Sequence, residues 1–376
     1  MSTSTYFVTG ATGAIGSALI PMLLERADTR IVLLLRAKSD DDLASRLEKL
    51  FDFWQLGPAD AGKRNRVRAL RGDVALPHFG VADADYDVLC AECTHIVHSA
   101  GNVRMNLPID QARHSSVDSA RSIIELGKNC RRLEKIEFVS TVGVGGRTRG
   151  AVPEDWLSTS RDFHNTYEQA KAEAEEHIRP AVEGGLPLTV HRPSMVVGNA
   201  ANGRIIHFQI FYHLCEFLAG SRTFGLTPDF GRARLDIVPA DYVARIIAWS
   251  SQTNASSGGI LHSCSGPEFA LLLAPLQESV RQAFAAGRTS LPVLVHLPTG
   301  LFKAILTVAS VFMSSDIRRA VKTLPVFLDY LATEQTFANH RTQTLLEPAG
   351  LPLPLPVSYL DKVLSYYLEH RIVPRS

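Results

Sequence analysis

The sequence predicts an α/β fold in which a doubly wound parallel sheet is followed by a smaller, mostly helical C-terminal lobe. Short β-rich runs alternate with segments of helical spacing through the first half of the chain, and this alternation is typical of a parallel sheet with helices on both faces. The 376 residues exceed the ~250–300 at which one core usually stops growing. We therefore expect a second lobe after the sheet.

The predicted elements follow one another in a regular order. Strands are expected in the short apolar or β-branched runs at 6–9, 30–35, 67–70, 94–98, 136–139, 188–191 and 260–264. Helical spacing predicts helices at 14–26, at 40–54, from 238 onward and at about 357–369. A Leu-Pro run at 351–356 is interpreted as a stiff extended linker before the last helix.

Composition and patterning exclude several classes of protein. The formal net charge of +1 gives no case for a nucleic-acid partner, and the N-terminus lacks a signal-peptide pattern, so a cytoplasmic location is expected. The longest apolar region, 291–313, is interrupted by Pro, Gly, His and Lys, whereas a membrane span needs roughly 20 apolar residues. We predict no transmembrane segment there; a core helix or the wall of an apolar substrate tunnel are the two interpretations.

The cysteine pattern predicts no metal site. The cysteines number only five, and such a small, odd number suits a reducing compartment without disulfides. Cys90 and Cys93 have the spacing of a zinc or redox pair, but no second pair of ligands accompanies them. We interpret both as half-buried helix residues.

A glycine-rich turn joins the first predicted strand to the first helix. Gly10 permits a tight turn, Gly13 lets the backbone approach a pyrophosphate, and Gly16 allows close packing of helix on sheet. The helix N-terminus offers unpaired N–H groups to phosphates. The pattern predicts a Rossmann-like dinucleotide site built from Gly10, Thr12, Gly13, Ala14, Ile15 and Gly16.

The end of the second strand predicts which dinucleotide binds. An NAD-binding protein tends to carry Asp or Glu about 20 residues after the glycines, and this chain has Arg36 at that spacing. A guanidinium pairs well with a 2′-phosphate, so NADP(H) is expected, with Lys38 and Arg46 as candidate helpers. Asp73 could accept from the adenine amino group, or could be a turn aspartate. Small residues that leave room for the cofactor end the fourth strand at Ser99, Ala100 and Gly101.

Three further residues predict proton transfer beside a hydride. Tyr167 and Lys171 stand four apart in a predicted helix and so share a face. The ammonium favours the phenolate over the phenol, so we expect a lowered tyrosine pKa. Thr141 follows the fifth strand, where a hydroxyl could hydrogen-bond the reacting oxygen.

Over residues 5 to about 265, the chain resembles the extended branch of the short-chain dehydrogenase/reductase superfamily. The resemblance lies in the order of its motifs along the chain, which are the glycine turn, Thr141, Tyr167 and Lys171. The chain more closely resembles thioester reductases, which are the reductase domains of nonribosomal peptide synthetases and carboxylic acid reductases, with fatty acyl-CoA reductases nearby. The stretches that carry this resemblance are 34–38, 45–47, 72–74, 98–101, 139–142, 167–171 and 191–194.

The resemblance implies an NADPH-dependent reductase that converts a thioester of an acyl carrier protein or coenzyme A to an aldehyde, with further reduction to the alcohol left open. Arg36 would contact the NADPH phosphate, Tyr167 would protonate the carbonyl oxygen and Lys171 would also hold the nicotinamide ribose. Val74 and Pro193 lie in the matching stretches and complete the expected cofactor contacts. Neither an adenylation nor a carrier domain is present, so we expect a stand-alone enzyme.

Departures from the family leave other functions open. Ser116 stands where family members usually carry asparagine. One alternative is an extended-branch dehydrogenase of a hydroxysteroid-like, ketone or nucleotide-sugar substrate; Arg36 argues against the sugar enzymes, which more often hold NAD. Another is an NADP-sensing regulator, against which the retained Tyr167 and Lys171 argue.

Two charged clusters and a domain division complete the expectations. A basic cluster could dock an acidic carrier protein or coenzyme A phosphates, although a solvated surface is the preferred interpretation; it comprises Lys63, Arg64, Arg66, Arg68 and Arg71. Arg232 and Arg234 carry the same ambiguity. We assign 1–199 and 236–265 to an NADP-binding Rossmann domain, and 200–235 and 266–376 to a substrate-binding lobe.

Overall fold

The central sheet of the computed structural model, which describes residues 3–158, 160–287, 290–302, 304–305 and 335–371, has seven parallel strands. In chain order these are β1 (Ser4–Thr9), β2 (Thr29–Leu35), β3 (Val67–Arg71), β4 (His95–His98), β5 (Lys135–Val139), β6 (Leu188–Pro193) and β7 (Ile260–Ser263). The spatial order is β3-β2-β1-β4-β5-β6-β7, which reverses direction between β1 and β4. This is the doubly wound topology, whose ligands bind outside the carboxyl ends of the strands at the reversal. The predicted fold class is confirmed.

Helices cover both faces of the sheet, and further helices follow it among the described residues. The longer ones are α1 (Ala14–Leu24), α2 (Asp40–Trp54), α3 (Asp83–Glu92), α4 (Ser119–Asn129), α5 (Thr166–Glu183), α6 (Ile210–Leu218), α7 (Ala240–Ser250), α8 (Leu273–Ala286), α9 (His340–Leu346) and α10 (Pro356–His370). Short helical segments occupy Ala61–Arg64, Ile109–Arg113, His114–Asp118 and Gly266–Phe269. None of the described helices is long and apolar enough to cross a membrane.

Local chemistry explains why α2 has the bounds that the sequence predicts. Ser39 precedes it with an extended backbone, and its hydroxyl accepts a hydrogen bond from the Asp42 N–H at 3.2 Å. Three aspartates occupy the first turn, where they complement the positive end of the helix dipole. Gln55 then ends the helix in a left-handed conformation.

Three large hydrophobic clusters organise the packing of the described residues. One joins β1 and β2 to α1, α2 and α7 on one face of the sheet, and a second joins the strands to α3, α4 and α5 on the other. A third cluster unites α6, α8 and α10 away from the sheet, with Phe211, Phe284 and Val363 fully buried in it. The domain division stays a prediction; α9, which we assigned to the lobe, buries Leu346 against the first of these clusters.

Short strand pairs outside the central sheet escaped prediction. They are Met195–Val197 with Ile237–Pro239, Leu226–Pro228 with Val295–Leu297, Arg234–Leu235 with Leu271–Leu272, and Gly150–Val152 with Gln335–Phe337. The expectation of a core helix at 291–313 is wrong for residues 295–297, and the alternative of a tunnel wall stays a prediction. Residues 295–297 form a strand there because they pair with a distant segment, and the positions from 306 onward lie outside the described residues.

Candidate active site

The glycine turn between β1 and α1 has the shape that its three glycines require. Gly10 has φ +81°, and a Cβ on it would lie 2.5 Å from the backbone of Ser99 and Ala100. A Cβ on Gly16 would lie 2.3 Å from the Gly10 carbonyl oxygen. The turn closes with a hydrogen bond from the Gly13 N–H to the Gly10 oxygen at 2.9 Å. Any side chain at Gly10 or Gly16 would therefore break the contact between helix and sheet.

This turn fits the pyrophosphate of a dinucleotide. Helix α1 starts after Gly13 without a side-chain cap and without an acidic residue in its first turn. Its first N–H groups and the positive end of its dipole therefore face the carboxyl edge of the sheet, where an anion can bind. Thr12 is exposed at the rim, whereas Ala14 is buried and Ile15 is partly buried behind it.

Arg36 and Asp73 meet at the outer rim of this edge. The Arg36 side chain is 82% exposed, and its Nη1 lies 3.9 Å from Asp73 Oδ2. Asp73 Oδ1 accepts a hydrogen bond from the Ala75 N–H at 3.1 Å, so the aspartate also shapes its own turn. Val74 beside it is buried. Arg46 contacts Asp42 at 3.2 Å on the same helix, an exposed pair of the kind that contributes little stability.

The end of β4 joins the glycine turn to the helix that carries Lys171. Ser99 Oγ donates to the Thr9 carbonyl at 2.9 Å, and the Ala100 N–H donates to Thr9 Oγ1 at 3.3 Å. A Cβ on Gly101 would lie 3.5 Å from Lys171 Nζ. Small residues thus bring the lysine up to the edge where the turn lies.

Thr141, Tyr167 and Lys171 lie near one another at the ends of β5 and α5. Thr141 caps the turn Val142–Gly145, and its Oγ1 accepts from the Gly143 N–H at 3.1 Å. The Tyr167 hydroxyl shares a hydrogen bond with Thr141. Lys171 is buried, and its Nζ donates to the Val139 carbonyl at 3.1 Å. Asn165 fixes the start of α5 by accepting from the Glu168 N–H at 3.0 Å.

The expected lowering of the tyrosine pKa by Lys171 is wrong. Burial around the hydroxyl raises the pKa of Tyr167 to about 12, and the hydrogen bond from Thr141 only partly opposes this. Burial also lowers the pKa of Lys171 to about 8, while the charge of Glu175 works against that decrease. Desolvation is the largest effect on both groups, because each is buried away from water, and the ammonium is directed at Val139.

Sequence reasoning missed a buried His–Glu pair beside the tyrosine. His164 Nδ1 lies 3.0 Å from Glu168 Oε2, and the His164 N–H donates to the same oxygen at 3.0 Å. Glu168 raises the pKa of its neighbour Tyr167. A Cβ on Gly143 would lie 3.1 Å from Glu168 Cγ, so the carboxylate packs under the turn that follows Thr141. The four-residue spacing of His and Glu was the signal available in the sequence.

Pro193 and Ser116 flank the site. Pro193 ends β6 at the carboxyl edge of the sheet, paired with Ser263. Ser116 is buried in the π-helical segment His114–Asp118, and its carbonyl accepts from Ser119 Oγ at 3.0 Å. The departure from the family's asparagine thus coincides with an irregular helix turn.

The side chains of the basic cluster form ion pairs and hydrogen bonds with other residues of the protein. Its exposed or partly exposed ion pairs are Lys63 with Glu25, Arg64 with Glu48, Arg68 with Asp85 and Arg71 with Asp40. Arg66 donates to backbone carbonyls, including that of Leu24 at 2.7 Å. These contacts favour the structural interpretation of the cluster. Arg234 likewise donates to the Ala270 carbonyl at 2.8 Å, while Arg232 is exposed.

The two cysteines with zinc-like spacing differ in burial. Cys90 lies in α3 and is partly buried. Cys93 follows the helix and is fully buried, so its interpretation as half-buried is wrong. Its thiol donates to the His95 carbonyl at 3.2 Å. Within the described part of the chain, no group of three His, Cys, Asp or Glu side chains could hold a metal ion.

Curated relatives are much longer than this chain. Isonitrile lipopeptide synthase of Streptomyces coeruleorubidus is 29% identical over 242 residues, which cover 64% of this chain and 16% of that protein. A linear gramicidin synthase of Brevibacillus parabrevis is 27% identical over 68% of this chain and 5% of that protein. L-2-aminoadipate reductase of Schizosaccharomyces pombe is 25% identical over 70% of this chain and 19% of that protein. The chain therefore spans a fifth or less of the length of these three relatives.

Solved structures and a family match agree with these relatives. The terminal R domain of the myxalamid PKS-NRPS pathway has a TM-score of 0.81 at 26% identity, covering 98% of this chain and 91% of that one. An archaeal thiolation-reductase di-domain has a TM-score of 0.76 at 17% identity, covering 98% and 76%, and shows the fold alone. The family described as Male sterility protein matches residues 8–247. The chain belongs to this family and is an NAD(P)-dependent reductase of the extended short-chain dehydrogenase/reductase type.

Proposed function

We propose that this protein is an NADPH-dependent thioester reductase that releases a carrier-bound acyl group as an aldehyde. The observation that carries the proposal is the convergence of Thr141, Tyr167 and Lys171 on the sheet edge that holds the glycine turn. The similarity to a terminal reductase domain and to an aminoadipate reductase supports a substrate at the carboxylic acid oxidation level, such as a thioester. The archaeal neighbour that joins a thiolation domain to a reductase domain supports a carrier protein as the donor.

NADP(H) is the cofactor that Arg36, at the carboxyl edge of the sheet, favours. Gly10, Gly13 and Gly16 would accept the pyrophosphate, with Thr12, Ala14 and Ile15 around the first turn of α1. Arg36 would pair with the 2′-phosphate, for which its largely exposed guanidinium is free to reorient away from Asp73. Arg46, Asp73, Val74, Ser99, Ala100, Gly101 and Pro193 would complete the contacts.

Proton transfer is the task of the protein side chains, while bound NADPH supplies the hydride. With a pKa raised to about 12, Tyr167 is a neutral phenol at pH 7 and so holds the proton that the reduced carbonyl oxygen requires. Thr141 hydrogen-bonds the same hydroxyl and stabilises charge at the oxygen. Lys171, held at Val139, would bind the nicotinamide ribose and supply positive charge. The resulting hemithioacetal then separates into aldehyde and thiol.

A panel of substrates tests the proposal. Purified protein with NADPH is offered acyl-carrier thioesters, acyl-CoAs of several chain lengths, free aldehydes and ketones, and products are identified by mass spectrometry. We expect aldehyde and free thiol in a 1:1 ratio from a thioester. Turnover of ketones alone would contradict the proposal and favour a dehydrogenase. Binding of NADPH without oxidation by any compound would favour a regulator.

A further inference from the structure

A fully buried arginine lies behind the candidate active site, and all three of its guanidinium nitrogens donate hydrogen bonds. Arg192 stands on β6, and its Nε and Nη2 donate to the two carboxylate oxygens of Glu175 at 3.0 and 2.5 Å. Its Nη1 donates to the Asp155 carbonyl at 3.0 Å and to His262 Nε2 at 3.2 Å. Such a planar fork fixes both partners in orientation, which a lysine cannot do.

Glu175 connects this arginine to Lys171. The carboxylate lies one helical turn after the lysine on α5, so the two side chains share a face. Glu175 is 5% exposed and Lys171 is 4% exposed, which leaves little water to screen one from the other. The charge of Glu175 raises the pKa of Lys171 against the effect of burial. The carboxylate can therefore attract either Lys171 or Arg192, and its bidentate bond is with Arg192.

The contacts of Arg192 extend to the C-terminal segment. His262 Nδ1 must carry the proton, because it lies 2.7 Å from the Ala338 carbonyl oxygen. Its Nε2 is then free to accept from Arg192, and burial holds its pKa at about 3, so the ring stays neutral. The His262 N–H donates to Thr342 Oγ1 at 2.9 Å. The arginine thus joins α5, β6, β7 and the segment that contains α9.

We propose that Arg192 and Glu175 are positioning residues for Lys171. By holding the carboxylate in a bidentate bond, Arg192 keeps it from drawing the ammonium away from the Val139 carbonyl. Glu175 in turn keeps enough negative charge near Lys171 for the lysine to stay protonated in a buried site. The pair also anchors the middle of α5 to the sheet. This inference rests on the proposed role of Lys171.

The surroundings of Lys171 include titratable side chains from its own helix and from β4, and an aromatic ring from β5. Tyr167 lies one turn earlier on α5, and Glu175 lies one turn later. From β4, His98 is fully buried, and the charge of Lys171 adds to the effect of burial in lowering the pKa of that histidine. From β5, the Phe138 ring centroid lies 5.5 Å from Nζ. Glu175 is the charged group that acts on the pKa of Lys171, so changes at Glu175 should move the lysine most.

Variants of the pair separate charge from geometry. Glu175→Gln keeps the shape but removes the negative charge, so Lys171 should titrate at lower pH. Arg192→Met leaves the carboxylate without its partner, so Lys171 should titrate at higher pH. Arg192→Lys keeps the charge but loses the fork, so kcat should fall about tenfold or more through misplacement, with the lysine titration moving least. Glu183→Gln is the control, because Glu183 forms an exposed pair with Arg179 at 2.8 Å on the same helix.

The primary measurement is an NMR titration of full-length protein that carries lysine labelled with ¹³C at the ε position. The Lys171 signal is identified from its loss in Lys171→Arg, and kcat and KM are measured across the same pH range. Opposite displacements of the lysine titration in Glu175→Gln and Arg192→Met support the proposal. An unchanged titration in folded Glu175→Gln would overturn it, even if Arg192→Met fails to fold. Because the titration needs no substrate, it stays informative if thioesters are not reduced.

Discussion

Lys171 Nζ donates a hydrogen bond to the Val139 carbonyl oxygen at 3.1 Å, which ties the middle of α5 to the end of β5. Thr141 follows Val139 by two residues in the chain. One contact therefore places the ammonium and the threonine hydroxyl at the same edge of the sheet. The ammonium is therefore directed at a backbone oxygen, while the Tyr167 hydroxyl one turn earlier on α5 hydrogen-bonds Thr141.

The pH dependence of the reaction should be set by Lys171 and not by Tyr167. Tyr167, with a pKa of about 12, keeps its proton over the whole practical range. Lys171, with a pKa of about 8, is mostly protonated at pH 7 and loses its charge as the pH rises. We expect kcat/KM to fall as the pH passes about 8. A profile that stays level up to pH 10 would contradict this assignment, as would an activity that increases with deprotonation of the lysine.

Removal of the Tyr167 hydroxyl should abolish most of the turnover. Tyr167→Phe should lower kcat by about 10²–10⁴, the usual contribution of a general acid, with little change in NADPH affinity. Tyr86→Phe is a matched control, since Tyr86 lies in α3, accepts from Asn129 Nδ2 at 3.3 Å and takes no part in the site. Single-turnover kinetics and a fluorescence titration with NADPH measure the two quantities. An unchanged kcat in folded Tyr167→Phe would remove the tyrosine from the mechanism.

Cofactor preference should depend on Arg36. Arg36→Asp would remove a charge-assisted hydrogen bond, worth about 1.5–3 kcal/mol, and would set two carboxylates beside each other at Asp73. We expect NADPH binding to weaken by roughly 10–100-fold, while NADH binding changes little. Arg46→Ala should have a smaller effect, because Arg46 is engaged with Asp42. Equal losses for both dinucleotides in a binding titration would refute the role of Arg36 in selection.

The sheet could be predicted from the sequence, whereas the electrostatics of the site could not. Alternating strands and helices, the glycine spacing and the position of Tyr167 and Lys171 are local patterns, and local patterns determine which elements form. The pKa of Tyr167 depends on how much water reaches its hydroxyl, and the sequence around Tyr167 does not indicate that burial. The Arg192–Glu175 pair joins a strand to a helix in the buried interior, and Gly150–Val152 pairs with Gln335–Phe337. Both relationships arise only when distant segments pack together.

The glycine turn gives a prediction that depends on backbone geometry alone. Gly10→Ala would place a Cβ 2.5 Å from the Ser99 and Ala100 backbone, at a residue with φ +81°, and a left-handed non-glycine residue itself costs about 1–3 kcal/mol. We expect a clear decrease in the free energy of unfolding and loss of cofactor binding. Gly62→Ala is the control, because nothing lies within 4 Å of a Cβ there and the residue is in a short helix. Chemical denaturation of both variants measures the difference, and equal stability would show that the chain between β1 and α1 can move to accommodate a side chain.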